Sequence, residues 1–159
     1  CVFVGQSGRK WNAGRSGVLP LKGWVERMFL GQFRHNLDDK GRLTIPARFR
    51  DLLAAEGGYI MQGFDNNLMV LPASAFEAVT RRVNSMNMTD PSARMLRRLI
   101  FSSADQVGVD RVGRILLPQY LRDAANLEGE AVIVGAGNYF EIWSPVRWDA
   151  QLDLSLIHI

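Results

Sequence analysis

From Arg42 to Ile45 the chain alternates Arg-Leu-Thr-Ile, the two-residue period of a strand that turns Leu43 and Ile45 inward and Arg42 and Thr44 outward. Asp38–Gly41 precedes it as a turn. Pro46 follows it, well placed at a helix start, and "ARFRDLLAAEGG" predicts a short amphipathic helix stopped at Gly57–Gly58. Two further strands are predicted over Tyr59–Phe64 and Leu68–Leu71, joined by a tight Asp-Asn-Asn turn whose residues tolerate positive φ. A helix is predicted over Ala73–Met86. After it, Asp90 can cap and Pro91 can open another helix with an apolar stripe of Met95, Leu96, Leu99 and Ile100. Arg94, Arg97 and Arg98 fall on its other side, read first as a solvated face and second as a phosphate-contacting one.

The pattern then repeats. Residues 38–78 align with 110–150 at a constant offset of 72 without a gap, and 11 of the 41 pairs are identical. They include Asp38/Asp110, Gly41/Gly113, Arg42/Arg114, Pro46/Pro118, Arg50/Arg122, Gly63/Gly135 and Asn66/Asn138, while Leu43/Ile115, Ile45/Leu117 and Ile60/Val132 stay apolar. Agreement concentrated at turn and core positions marks a tandem duplication. The second helix of the repeat falls over Pro145–Gln151 in copy two. A unit of about 40 residues with short strands buries too little surface alone. Two copies packed about a pseudo-twofold axis, exchanging strands, complete a shared barrel and cover the sheet edges each half leaves open. The predicted division is a leader over 1–27, repeats over 28–88 and 105–151 with a connecting helix over 89–104, and a tail over 152–159. Leader and tail are read as foreign to the domain, because the first lacks a sustained period and "MFLGQFRHNLDDKGR" reads as a natural start.

Charge changes the picture through its distribution. The formal net charge is +3, yet residues 1–27 alone carry +4 and the remainder −1. A local basic cluster of Arg34, Lys40, Arg42, Arg48 and Arg50 against Asp38 and Asp39 makes one candidate patch on a near-neutral body. No apolar run approaches the roughly 20 residues of a membrane span. Cys1 is the single cysteine and the histidines are two, His35 and His158, which excludes an internal disulfide and a thiolate or histidine-rich metal site. No phosphate-cradling glycine loop is present, and adjacent Asp38 and Asp39 diverge on a turn. Catalysis and cofactors are not expected.

The repeated Asp-x-x-x-Arg turn is the candidate chemistry. An aspartate opening a turn accepts hydrogen bonds from the amides that follow, and Gly41 or Gly113 supplies the positive φ at its end. The carboxylate can also reach the arginine and restrict its rotamers, lowering the entropy lost when that arginine meets a partner. Spacing alone leaves a plain surface ion pair as the competing reading. Copy two carries Val112 for Lys40, Leu116 for Thr44 and Tyr120 for Arg48. It is expected to be less basic and more concerned with packing or protomer contacts.

"MFLGQFRHNLDDKGRLTIPARFR", the second "DRVGRILLPQYLR" and the later "YFEIW" together resemble the MraZ family over Met28 to about Trp148. The resemblance implies an α+β fold, a tandem duplicated SpoVT/AbrB-like swapped-hairpin β-barrel with short flanking helices. It further implies a cytoplasmic, nucleoid-associated repressor of a division and cell-wall gene cluster, which binds direct repeats in promoter double-stranded DNA as a ring-shaped homo-oligomer. Arg42 is then the main DNA contact, with Lys40 and Asp38 beside it, Arg114 and Asp110 in the second motif, and Arg34 and Arg48 from the basic cluster. The alternative is a protein-interaction module of the same barrel family, antitoxin-like or an assembly protein, without sequence-specific DNA binding.

Overall fold

The computed structural model describes residues 23–158. Each repeat supplies four strands. Copy one gives β1 (Gln32–Asn36), β2 (Arg42–Thr44), β3 (Gly58–Gln62) and β4 (Leu68–Pro72); copy two gives β5 (Asp105–Val107), β6 (Arg114–Leu116), β7 (Glu130–Gly135) and β8 (Phe140–Trp143). The helices are α1 (Ala47–Glu56), α2 (Ala73–Asn84), α3 (Pro91–Ser103), α4 (Gln119–Ala125) and α5 (Pro145–His158). A six-stranded sheet runs β1-β7-β8-β4-β3-β5, and β2 pairs with β6 in a separate ribbon.

The exchange of strands expected from the duplication is present. The β1 strand of copy one pairs antiparallel with β7 of copy two, and β5 of copy two pairs with β3 of copy one. Two pairings lie across the pseudo-twofold axis, because the residues opposed there are equivalents of one another: Leu43 with Ile115, and Met69 with Glu141. Single bridges, Leu37 to Leu43 and Val109 to Ile115, join the ribbon to both edges of the sheet, so pairing continues around one core. That core holds residues of both copies, among them Leu43, Ile45, Phe49, Ile60 and Val70 with Ile115, Leu117, Leu121, Ile133 and Ile142. Phe49 meets Phe29 edge-on at 5.0 Å and Phe140 at 5.1 Å. Phe29 therefore belongs to the core. A second cluster forms where the outer face of β3 and β4 (Met61, Met69, Leu71) meets α2 and α3 through Ala75, Val83 and Ile100.

Several expectations are corrected. The ungapped alignment hides a shift: β1–β7 and β7–β8 registers place Ile133, not Val132, as the equivalent of Ile60. An extra residue beside Glu130 is offset by a loop one residue shorter before β8. Gly63/Gly135 and Asn66/Asn138 are therefore identical letters in non-equivalent places: Asn66 takes φ 59°, whereas Gly137 takes the positive φ (92°) in copy two. Strands β1 and β5 were not anticipated, since short segments with polar outer faces become strands only when another repeat pairs with them. On α3, Asp90 caps as expected, accepting the Ser92 N–H at 2.9 Å, but Met95 faces solvent and the buried stripe is Ala93, Ile100 and Ser103. The last helix runs past Gln151 to His158. Of the leader, residues 1–22 lie outside the described residues; 23–26 form a helical turn.

Candidate nucleic-acid interface

The site starts from the two turns. Asp38 Oδ1 accepts the backbone N–H of Arg42 at 2.7 Å and of Lys40 at 3.1 Å, and Oδ2 accepts Arg42 Nε at 2.7 Å. Copy two reproduces this: Asp110 Oδ1 accepts from Arg114 N and Val112 N, and Oδ2 from Arg114 Nε, each at 2.9 Å. Gly41 and Gly113 close the turns at φ 88° and 90°, donating their N–H groups to the Asp38 and Asp110 carbonyls. One side-chain carboxylate thus satisfies two amides and one guanidinium, so the arginine leaves the turn with its first donor already fixed. Among the described residues the Arg42 side chain makes its hydrogen bond through Nε, to Asp38. Arg42 is half-buried, not the fully exposed side chain its strand position suggests.

Pairing of β2 with β6 brings the two turns together. Arg42 lies opposite Leu116 and Thr44 opposite Arg114, all on the ribbon face away from the buried Leu43 and Ile115. Arg114 Nη1 comes within 3.9 Å of Asp38 Oδ2, so the carboxylate of one repeat is shared by the arginines of both. Each turn glycine also accepts from the other repeat: Gly41 O from Leu117 N at 2.8 Å, Gly113 O from Ile45 N at 3.2 Å. The two motifs are one construction.

The remaining sequence candidates divide. Lys40 is exposed at the copy-one tip. Arg34 is not brought to the turns: its Nη2 donates to Asp149 Oδ1 at 2.9 Å, with Glu130 at 4.0 Å. Arg48 donates Nη2 to the Val25 carbonyl at 2.7 Å. Of the α3 arginines, Arg97 donates to Asn84 Oδ1 at 2.6 Å and Arg94 to the Met88 carbonyl at 3.0 Å, while Arg98 is exposed. Sequence reading also missed Arg111. It is exposed in copy two at the place of Asp39, so that turn is not short of positive charge even with Val112 beside it. The signal was in the aligned pair Asp39/Arg111, where the charge reverses.

The Asp38 carboxyl is held below its ordinary range, first by the backbone hydrogen bond from Arg42, against desolvation, and then by the Arg42 guanidinium; Asp110 is lowered in the same way by Arg114. Because the folded state prefers the ionised form, its advantage is full above the unfolded aspartate value of about 4 and is lost as pH falls through the lowered folded value. The expected result is that Asp38→Asn costs stability at pH 6–7, and that its difference from the parent shrinks below about pH 4. Urea melts at both pH values check this, and a difference independent of pH would refute it.

Comparison with known proteins agrees with this architecture. The family model for the MraZ protein, described as antitoxin-like, matches residues 28–99 and again 100–156. The chain belongs to the MraZ family. Relatives bearing the name transcriptional regulator MraZ include those of Thermomicrobium roseum, 48% identical over 127 residues (80% of this chain, 89% of the relative), and Roseiflexus castenholzii, 51% identical over 125 (79% and 87%). That of Herpetosiphon aurantiacus is 47% identical over 126 residues, 79% of this chain and 87% of its own. Both MraZ segments carry one Asp-x-x-x-Arg turn. No helix among the described residues is long and apolar enough to cross a membrane, and no cluster of His, Cys, Asp or Glu there could hold a metal ion.

Proposed function

We propose that this chain is a DNA-binding transcriptional regulator whose paired turns read double-stranded DNA, with Arg42 as the principal contact, Lys40 beside it, and Arg114 with Arg111 from the second turn. The observation that carries the reading is the carboxylate-held arginine, duplicated and set side by side on the β2–β6 ribbon. An arginine pre-set in this way loses less rotamer entropy on binding, and its planar fork suits both phosphate and the guanine edge. The curated relatives' name, transcriptional regulator, supports the same direction. Asp38 and Asp110 orient; they do not contact. Arg34 and Arg48, tied elsewhere, contribute at most to the surrounding potential. The setting is cytoplasmic, at the nucleoid, and the target is the promoter of a division and cell-wall gene cluster.

One protomer offers few cationic groups, whereas specific sites are bound several kcal/mol more tightly than random DNA. A closed head-to-tail ring would supply the difference by presenting several tips, each engaging at high effective concentration once the first is bound. Tips related by rotation favour direct repeats spaced by about one helical turn, roughly 10 bp. The expected outcome is a species well above 17.8 kDa by light scattering. Titration with DNA from upstream of its own gene, at fixed salt, is expected to show sequence preference that collapses when one repeat is deleted or moved by half a turn. Binding without sequence preference would favour the protein-interaction alternative. Tight binding of one repeat by a monomer would overturn the ring.

A further inference from the structure

The duplicated pair Arg50 and Arg122 is unused by the reading above, and the structure places each under the opposite repeat's turn. A Cβ at Gly41 would sit 2.6 Å from Arg122 Nε and 2.7 Å from its Cζ; a Cβ at Gly113 would sit 2.6 Å from Arg50 Cζ and Nη1. The two braces are not equal. Arg122 Nε donates to the Leu117 carbonyl at 2.9 Å, and the Leu117 N–H in turn donates to Gly41 O at 2.8 Å. Arg50 Nε is buried and has no partner among the described residues. Copy one's turn therefore rests on a completed hydrogen-bond chain running from α4 of copy two, while copy two's turn rests on a packed guanidinium whose Nε makes no such bond.

We infer that Arg122 is a positioning residue for Arg42. It holds Gly41 and Leu117 so that the Asp38 carboxylate meets Arg42 in one geometry, and it makes copy one the better-ordered recognition turn. The inference rests on the DNA-binding reading for its consequence but not for its geometry. Loss of the brace releases a side chain rather than a contact, so the expected loss of affinity is on the order of threefold to tenfold.

The test uses the full chain with Arg122→Ala, Arg42→Ala and the double variant. Amide hydrogen exchange, measured without DNA, is expected to quicken at Gly41, Arg42 and Leu117 in Arg122→Ala while Gly113 and Arg114 keep their protection. Affinity for the promoter DNA is expected to fall in Arg122→Ala with the salt dependence unchanged, because no phosphate contact is removed. The double variant should bind no more weakly than Arg42→Ala, since the brace acts through that arginine. Additive losses, or a salt slope reduced by about one, would make Arg122 a direct contact and overturn the inference. Unchanged exchange at Gly41 and Leu117 would overturn it as well. Quickened exchange with no effect of Arg42→Ala on DNA would instead sink the DNA-binding reading and leave the brace standing. Arg122→Lys, which keeps the charge but not the Nε–H, should resemble Arg122→Ala.

Discussion

Arg42→Ala is expected to abolish specific DNA binding while lowering the melting temperature by a few degrees at most. The two effects separate because the turn does not depend on the guanidinium. With the side chain gone, Asp38 still accepts the backbone amides of Lys40 and Arg42, and Gly41 still closes onto the Asp38 carbonyl. What is removed is a solvent-screened ion pair, which contributes little to stability. On the DNA side, a well-placed arginine fork carries about 1–3 kcal/mol of base discrimination. In a ring the loss recurs at every engaged tip, so a modest change per protomer becomes a large one per assembly. Arg34→Ala is the matched control. It removes the same charge from the same repeat, but from a group held by Asp149 and Glu130, so specific binding should be nearly retained. Equal binding by parent and Arg42→Ala in a competition assay at fixed salt would show that the turn is not the recognition element.

Gly41→Val is expected to damage the fold itself. The residue sits at φ 88°, where a β-branched side chain is costly, about 1–3 kcal/mol for the backbone alone. The added Cβ would also meet Arg122 at 2.6 Å and the Leu117 carbonyl at 2.8 Å, and the carbonyl cannot swing aside as a side-chain tip can. Because Leu117 N–H donates to Gly41 O across the repeats, displacing this turn strains the seam that joins them. Several kcal/mol out of a typical total of 5–15 would leave a large unfolded fraction. Gly57→Ala isolates the backbone component: its φ is 79° but nothing lies within 4 Å of the added atom, so the loss should be clearly smaller. Denaturant midpoints for the two variants rank the effects. A Gly41→Val midpoint equal to the parent's would contradict the close packing of Arg122 on this turn.

Features governed by neighbours in sequence were legible without coordinates. The Asp-x-x-Gly-Arg turn follows from a carboxylate within reach of the next amides and a glycine free to take positive φ. Pro46 and Pro118 open helices because their fixed φ suits that place and their missing N–H costs nothing there. The duplication was legible because two equal units need the same turn and core residues. The expected exchange of strands followed from the open edges that each unit alone would leave.

What the tertiary structure decided involves partners far apart in the chain. Strands β1 and β5 exist because the other repeat supplies their ladder, which no local period in "QFRHN" or "DQV" announces. The one-residue shift in β7 was invisible because the shorter loop that follows restores the letter count. A strand's inward set is chosen by its register against the core, not by alignment. Arg34, Arg42, Arg48 and Arg122 are chemically identical side chains. One is spent on Asp149, one on the Val25 carbonyl and one on Leu117, and Arg42 alone among them is aimed by an aspartate four residues away. Sequence determined which residues could build the Asp-held arginine turn. Packing of one repeat on the other decided which arginines were tied to other acceptors, because a guanidinium's partner is whichever acceptor folding brings within about 3 Å.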